Sequence, residues 1–272
     1  MALRFLWTLV LATSILAGAS CRSGEESRSR SPNVVYVSAA ASLQFALPRI
    51  AQLFEEESGR QVILSFGASG SISQQIREGA PIDLFCSADQ AWIQELESAG
   101  LLRESSVECY AMGILVLAYP PDAPGRLDSF EQLAKVQLER LGVSNPLLSP
   151  YGSAARDALV KLGCWDDLED RVVYGENVGH ILAYVEQGNV DFGFLPLSLA
   201  KARKLPYRVV PPRFYSPIRQ YLGVPVSGEN PAGGEDFARF LAGAHAQAVL
   251  TELGFGPPNE LPGGASGAAV AE

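Results

Sequence analysis

The sequence has no stretch in which basic residues interleave with aromatic ones. Its 21 lysines and arginines are outnumbered by 30 aspartates and glutamates, for a net charge of −9. That balance argues against a nucleic-acid partner. It does not argue against a small anion, because local dipoles rather than net charge fill such a site. Histidine is scarce, with only His180 and His245. The four cysteines, Cys21, Cys86, Cys109 and Cys164, make no C-x-x-C pair, and there is no H-x-x-x-H spacing. A zinc site is therefore not expected. No repeat with a period of about 20–50 residues is present, and no membrane-spanning run follows the N-terminal segment. What remains is a chain of 272 residues, 47% hydrophobic, enough for one large domain or two small ones.

Residues 1–20 read as an export signal. Arg4 supplies the positive end, Leu6 to Leu16 is mostly apolar, and Leu16-Ala17-Gly18-Ala19-Ser20 leads into Cys21. Small residues before a cysteine resemble a bacterial lipoprotein processing site, which makes Cys21 the lipidation candidate. Gly18 departs from that pattern, which usually has leucine or a similar residue there. Residues 21–32 are polar, have no apolar face, and read as a flexible tether. Residues 256–272 are rich in Pro, Gly, Ala and Ser and read as a disordered tail.

The body between them opens on Val34-Val35-Tyr36-Val37, a buried-strand pattern, which runs through Ala39-Ala40-Ala41 to Ser42. Leu43, Leu47, Ile50 and Phe54 then follow at helical spacing, with Pro48 requiring either a bend or a later start. Ser42 thus marks a strand-to-helix junction, where backbone N–H groups lack intrahelical partners and the dipole is positive. Alone, it reads as an N-cap. The same arrangement recurs after the strand Gln61–Phe66, in Gly67-Ala68-Ser69-Gly70-Ser71. Two such junctions in adjacent β-α units meet at the carboxyl edge of a parallel sheet, where open α/β sheets bind ligands. The pair favours an anion site over two unrelated caps.

Further units follow. Ile82–Gln90 is a third strand and its exit, with Ser87 and Gln90 as a capping box. Asp83 and Asp89 flank this strand as structural or solvated carboxylates rather than an acid/base pair. Gly113–Tyr119 is a strand, and Asp128-Ser129-Phe130-Glu131 is a capping box that opens a helix. Leu141–Asn145 is a strand whose exit reaches Tyr151-Gly152-Ser153 at a helix start. Asn177 is an N-cap for a helix carrying Val178, Ile181, Leu182 and Val185. Val190–Leu195 is a strand ending at Pro196.

Ala39–Leu43, Phe66–Ser71, Gly79–Gln90, Leu162–Asp166 and Glu176–Val178 together resemble the molybdate-binding proteins of bacterial ABC importers, over about Asn33 to Phe255. The resemblance implies an α/β, two-lobed type II periplasmic-binding-protein fold. Each lobe is a mainly parallel sheet flanked by helices, with the ligand cleft between them. Residues 33–110 and 212–255 form lobe I, and 111–211 form lobe II. It implies no enzyme activity and no cofactor. The resemblance further implies that the ligand is molybdate or tungstate, held through its oxygens by Ser42 and Ser69 (hydroxyl and backbone donors) and by the backbone N–H groups of Tyr151 and Val178. It also implies an exported, periplasmic or extracytoplasmic monomer that serves the permease subunits of an ABC importer. Membrane contact then comes only through a lipid anchor at Cys21. The family often has a tyrosine donor where this chain has Pro196, and Ser198 is the nearest substitute.

Three other readings compete. A carrier of sulfate or an organic acid shares the fold, but an organic acid usually needs an arginine fork. Arg77 and Arg156 lie further along their helices. A serine hydrolase needs G-x-S-x-G, and Gly67-Ala68-Ser69-Gly70-Ser71 lacks the final glycine. His180, its only nearby base, lies on a helix. A ligand-sensing regulator domain is disfavoured by the export signal.

Overall fold

The computed structural model describes residues 31–123 and 127–258. The expected signal, Cys21 with most of the tether, and the tail beyond 258 lie outside the described residues. The chain runs β1 (Val34–Ala40), a 3-10 turn (Ala41–Leu43), α1 (Ala46–Ser58), β2 (Gln61–Gly67), α2 (Ser69–Arg77), β3 (Leu84–Ser87), α3 (Gln90–Ser98) and β4 (Glu108–Gly113). It continues with β5 (Leu115–Ala118), a 3-10 segment (Phe130–Ala134), β6 (Leu141–Ser144), α4 (Pro150–Leu162), α5 (Trp165–Leu168), β7 (Val172–Gly175) and α6 (Val178–Glu186). Then come β8 (Phe192–Pro196), α7 (Leu197–Ala202), β9 (Tyr207–Val209), β10 (Ile218–Gly223), α8 (Pro231–Ala242) and α9 (Ala244–Glu252).

These strands make two five-stranded sheets of order β2-β1-β3-β10-β4 and β7-β6-β8-β5-β9. In the first, β1 is parallel to β2 and β3, and β10 runs antiparallel to both β3 and β4. In the second, β6 is parallel to β7 and β8, and β5 runs antiparallel to β8 and β9. Each sheet is therefore mainly parallel, with one strand reversed. The central parallel strands β3 and β6 are buried along their whole length, whereas the edge strand β2 alternates exposed and half-buried residues.

The chain passes between sheets at Ile114, because Gly113 still pairs with Ile218 while Leu115 already pairs with Pro196. The expected boundary at 110/111 thus falls inside β4, and the apparent single strand Gly113–Tyr119 is two strands in different lobes. Three other expectations are corrected. Gly256 is no part of a loose tail, since it exchanges two backbone hydrogen bonds of 2.8 Å with Met112. Ser87 and Gln90 form no capping box. Asp89 caps α3 by accepting from Ala91 N–H, and Ser87 turns back onto the backbone of Asp89. After Asp128 a 3-10 segment forms without a Ser129 side-chain cap, because Gln132 holds Asp128 instead. Pro48 is accommodated because α1 starts at Ala46, so the missing N–H falls in the first turn, where none is needed.

Cys86, Cys109 and Cys164 are free thiols. Burial, reinforced by Asp167, pushes the Cys164 thiol up to about 11, so it stays protonated and inert at neutral pH.

Asp83 is fully buried just before β3. Its Oδ2 accepts from Tyr36 N–H at 2.8 Å and its Oδ1 from Asn230 N–H at 2.7 Å, tying β1 to the approach of α8. The Asp83 carbonyl lies so close to Gly234 that a Cβ there would stand 2.0 Å from it. Asp83 is thus structural and sits at the amino end of its strand. Asp83→Ala should lower unfolding stability by about 2–4 kcal/mol, the scale of losing hydrogen bonds to a buried charged group. An unchanged urea midpoint would contradict this role.

Candidate functional site

Two registers place the site. Ala40 pairs with Gly67, so the turn carrying Ser42 and the helix start carrying Ser69 leave neighbouring strand ends. Ser144 pairs with Gly175, so the starts of α4 and α6 leave neighbouring strands of the other sheet. Ser42 is the second residue of its 3-10 turn, Ser69 the first of α2, Tyr151 the second of α4 and Val178 the first of α6. All four N–H groups therefore lie where no intrahelical carbonyl can reach them. Local sequence fixes each start. Pro150 presets the first turn of α4, and Asn177 Oδ1 accepts from Gly179 N–H at 2.8 Å to cap α6.

The four starts face each other across the lobes. Gly70 N–H donates to Leu148 C=O at 3.0 Å, joining α2 to the loop before α4. Ser198 Oγ–H donates to Ser42 C=O at 2.8 Å, joining α7 to the 3-10 turn. A Cβ on Gly179 would stand 3.2 Å from Gln44 Oε1, so α6 also abuts that turn. Ala40, Ala41 and Ala88 of the first lobe pack into the apolar core of the second. Ser42, Ser69, Tyr151 and Val178 are each at most 3% exposed. The lobes touch at these points, and all four expected residues are buried.

Neither serine is the cap that it resembles in isolation. The 3-10 turn has no side-chain cap bond, and Ser42 Oγ reaches Gln220 Oε1 only at 3.5 Å. Ser69 Oγ accepts from Ala88 N–H at 3.0 Å, which ties α2 to the exit of β3. Pro196 ends β8 and offers neither N–H nor hydroxyl. Ser198 spends its single proton on the Ser42 carbonyl, so it braces Ser42 rather than supplying a replacement donor.

Two buried polar groups beside these residues are not legible in the sequence. The Tyr151 phenol, beyond its backbone N–H, is buried without a hydrogen-bond partner among the described residues, as is Gln220 Nε2. Burial pushes the phenol pKa well above its ordinary range. The Ser42 hydroxyl beside it acts in the opposite direction, although no hydrogen bond of ordinary geometry joins them. The signal for Gln220 was its place in β10, on the inward face shared with Ile218 and Leu222. An amide among apolar residues at period two asks for a partner.

Three of the ionisable groups near these motifs are occupied elsewhere, while Asp157 and Arg219 line a cavity between the lobes beside Ala88 and Pro150. Arg77 pairs with Glu95, Arg156 lies over the Trp165 ring at 5.4 Å, and Asp89 caps α3. His180 is exposed. Among the described residues Asp83 is the sole buried carboxyl, and it lies at the opposite end of β3. The arrangement can donate hydrogen bonds to an anion but offers it neither a proton acceptor nor a nucleophile–base pair.

Gly70 controls how closely the lobes approach. A Cβ there would meet Trp92 Cζ2 at 2.8 Å and the Leu148 Cα of the other lobe at 3.1 Å. Gly70→Ala should leave both lobes folded but hold them apart. Small-angle scattering with saturating oxyanion should show a larger radius of gyration than the wild type gives. Equal radii would show that the contact is not limiting.

Known proteins place this geometry. The family model for bacterial extracellular solute-binding proteins matches residues 35–256. The molybdate-binding protein ModA of Azotobacter vinelandii is 34% identical over 227 residues, covering 82% of this chain and 89% of its own. A Bacillus subtilis protein described as a putative ABC transporter substrate-binding lipoprotein, YvgL, is 32% identical over 89% of this chain and 94% of its own. The solved periplasmic molybdate-binding protein of A. vinelandii superposes with a TM-score of 0.78 at 30% identity, over 82% of this chain and 99% of that one. These are binding proteins rather than enzymes, and the chain belongs with them to the family of bacterial extracellular solute-binding proteins.

Proposed function

We infer that this protein captures molybdate or tungstate between its lobes and delivers it to the permease of an ABC importer. The observation that carries the reading is that Ser42, Ser69, Tyr151 and Val178 each stand at the start of a helix or 3-10 turn and are all buried. A fully deprotonated tetrahedral oxyanion only accepts hydrogen bonds. Ser42, Ser69, Tyr151 and Val178 offer backbone N–H groups, and Ser42 adds a hydroxyl. Ser69 can turn its own proton inward while its oxygen keeps the bond from Ala88. Each hydrogen bond to a charged acceptor contributes about 1.5–3 kcal/mol. Several in a dry cleft offset the loss of the ligand's hydration without a counter-charge. The relatives named for molybdate support this choice of ligand.

Selectivity follows from the same donors. Phosphate near neutral pH carries a proton for part of the time, and that proton finds no carboxylate among the site residues. Sulfate passes the proton test and is rejected by size, because its shorter bonds leave stretched hydrogen bonds in a cleft shaped for a larger tetrahedron. Isothermal titration with molybdate, tungstate, sulfate and phosphate at one ionic strength should give affinities at least about tenfold tighter for the first two. That ratio corresponds to about 1.4 kcal/mol. Equal affinity for sulfate would make the protein a general oxyanion carrier.

The same reading places the protein outside the cytoplasm, held to a membrane by lipid at Cys21. The small-residue run before Cys21 and the description of YvgL as a lipoprotein support the anchor. Wild-type protein should sediment with membranes, and Cys21→Ser should move to the soluble fraction. Wild-type protein found wholly in the soluble exported fraction would remove the anchor from the proposal.

A further inference from the structure

Gln220 is fully buried in β10, yet its Nε2 has no hydrogen-bond partner among the described residues. The Tyr151 hydroxyl, from the opposite lobe, is buried and unpartnered as well. Both lie against the bare α-carbon of Gly113. A Cβ there would stand 2.2 Å from the Tyr151 hydroxyl and 2.9 Å from Gln220 Nε2. Gly113 is thus the gap in β4 through which the two groups approach. Between them stands Ser42, whose Oγ is 3.5 Å from Gln220 Oε1 and beside the phenol. Two orphaned polar groups and a weakly held serine, drawn from both lobes, form one cluster. Unpaired buried groups lower stability, and such a cluster persists where closure with a ligand completes it.

In the arrangement described, the Ser42 proton is aimed at Gln220 Oε1 and away from any anion. A half-turn of the amide reverses this. Nε2 then donates to Ser42 Oγ, and Oε1 accepts from the Tyr151 hydroxyl. Ser42 receives a hydrogen bond on its oxygen, and its single proton can point only into the cleft. Every group in the cluster is then satisfied provided that something in the cleft accepts from Ser42.

We propose that Gln220 is a positioning residue that turns the Ser42 hydroxyl toward the bound oxyanion, with the Tyr151 phenol holding the amide in that orientation. This rests on the oxyanion reading of the site and deepens it. The amide oxygen is the one side-chain acceptor of the cluster outside its two hydroxyls. Engaging it with Tyr151 removes the amide oxygen as an acceptor for the proton of a protonated anion. Gln220 therefore contributes to selecting fully deprotonated ligands.

The test compares wild type, Gln220→Leu, Gln220→Met, Ser42→Ala and the double variant Ser42→Ala/Gln220→Leu. Molybdate is titrated calorimetrically into each, and each is melted without ligand. Gln220→Leu and Gln220→Met should bind about tenfold more weakly. Their ligand-free melting temperatures should hold or rise, because an unpaired polar group has been replaced by an apolar one of similar size. The double variant should bind no more weakly than Ser42→Ala alone, since Gln220 acts through Ser42. Unchanged affinity in both Gln220 variants overturns the proposal. So does a fall in melting temperature that accompanies additive losses, which is the signature of a merely structural residue. If the wild type binds none of the four oxyanions, the functional reading fails and this inference with it. If the wild type binds and the Gln220 variants match it, only the inference fails.

Discussion

The structure depends on one electrostatic constraint. A dianion taken into a dry cleft loses its hydration, and a site built from neutral donors must replace that hydration with them. The backbone supplies them only where N–H groups have no intrahelical acceptor, at the first residues of helices. Ser42, Ser69, Tyr151 and Val178 all occupy such positions. In the proposed function the rest of the architecture serves to bring these short stretches together. Two sheets, each ending several strands at one edge, do so because a strand exit and the helix start after it are only a few residues apart.

That constraint explains where the small residues stand. Donors from two lobes can converge only if the backbones approach closely. Ala40, Ala41 and Ala88 allow the first lobe to enter the apolar core of the second. Gly70 lets α2 touch Leu148, and Gly179 lets α6 touch Gln44. None of these glycines is needed for a left-handed turn, because each has negative φ. Their common feature is the missing Cβ at a point of contact between elements. The helix-ending glycines Gly59 and Gly163, by contrast, take positive φ and meet nothing within 4 Å where a Cβ would stand. The same residue type thus serves packing in the cleft and backbone geometry at the periphery.

The sequence was most legible where a local rule acts alone. Strand, small residues, serine and apolar helical spacing located the junctions at Ser42 and Ser69, and Asn177 was read correctly as a cap because capping involves only its own turn. Legibility failed where a competing residue, near or distant, won. Ser87 and Gln90 have capping-box spacing, but Asp89 lies closer to the helix and takes the role. Gly113–Tyr119 reads as one apolar run, yet β4 and β5 are claimed by different sheets, a choice made by Ile218 and Pro196 far along the chain. Ser198 looked available because its hydroxyl partner, the Ser42 carbonyl, lies 156 residues away. The Tyr151 phenol escaped notice for the same reason, since only the fold brings it to Gly113 and Ser42.

A site built from neutral donors also governs the motion between lobes. With the cleft open, water satisfies every N–H and hydroxyl. Closing it dry strands them, and the penalty falls on each unpaired group separately. The described arrangement already carries four buried orphans, two of them, on Tyr151 and Gln220, at the meeting of the lobes. Lobe contacts such as the bonds from Gly70 to Leu148 and from Ser198 to Ser42 act against that penalty on the stranded groups. An acceptor-only anion removes the penalty at all of them together, so its affinity for the closed form greatly exceeds its affinity for the open one. That difference is what a ligand needs in order to shift a conformational equilibrium. A cleft lined with arginine and glutamate could neutralise itself on closing and would signal occupancy poorly. In the proposed function, one lined with neutral donors gains most from closure when something inside accepts from them, so closure and occupancy are linked.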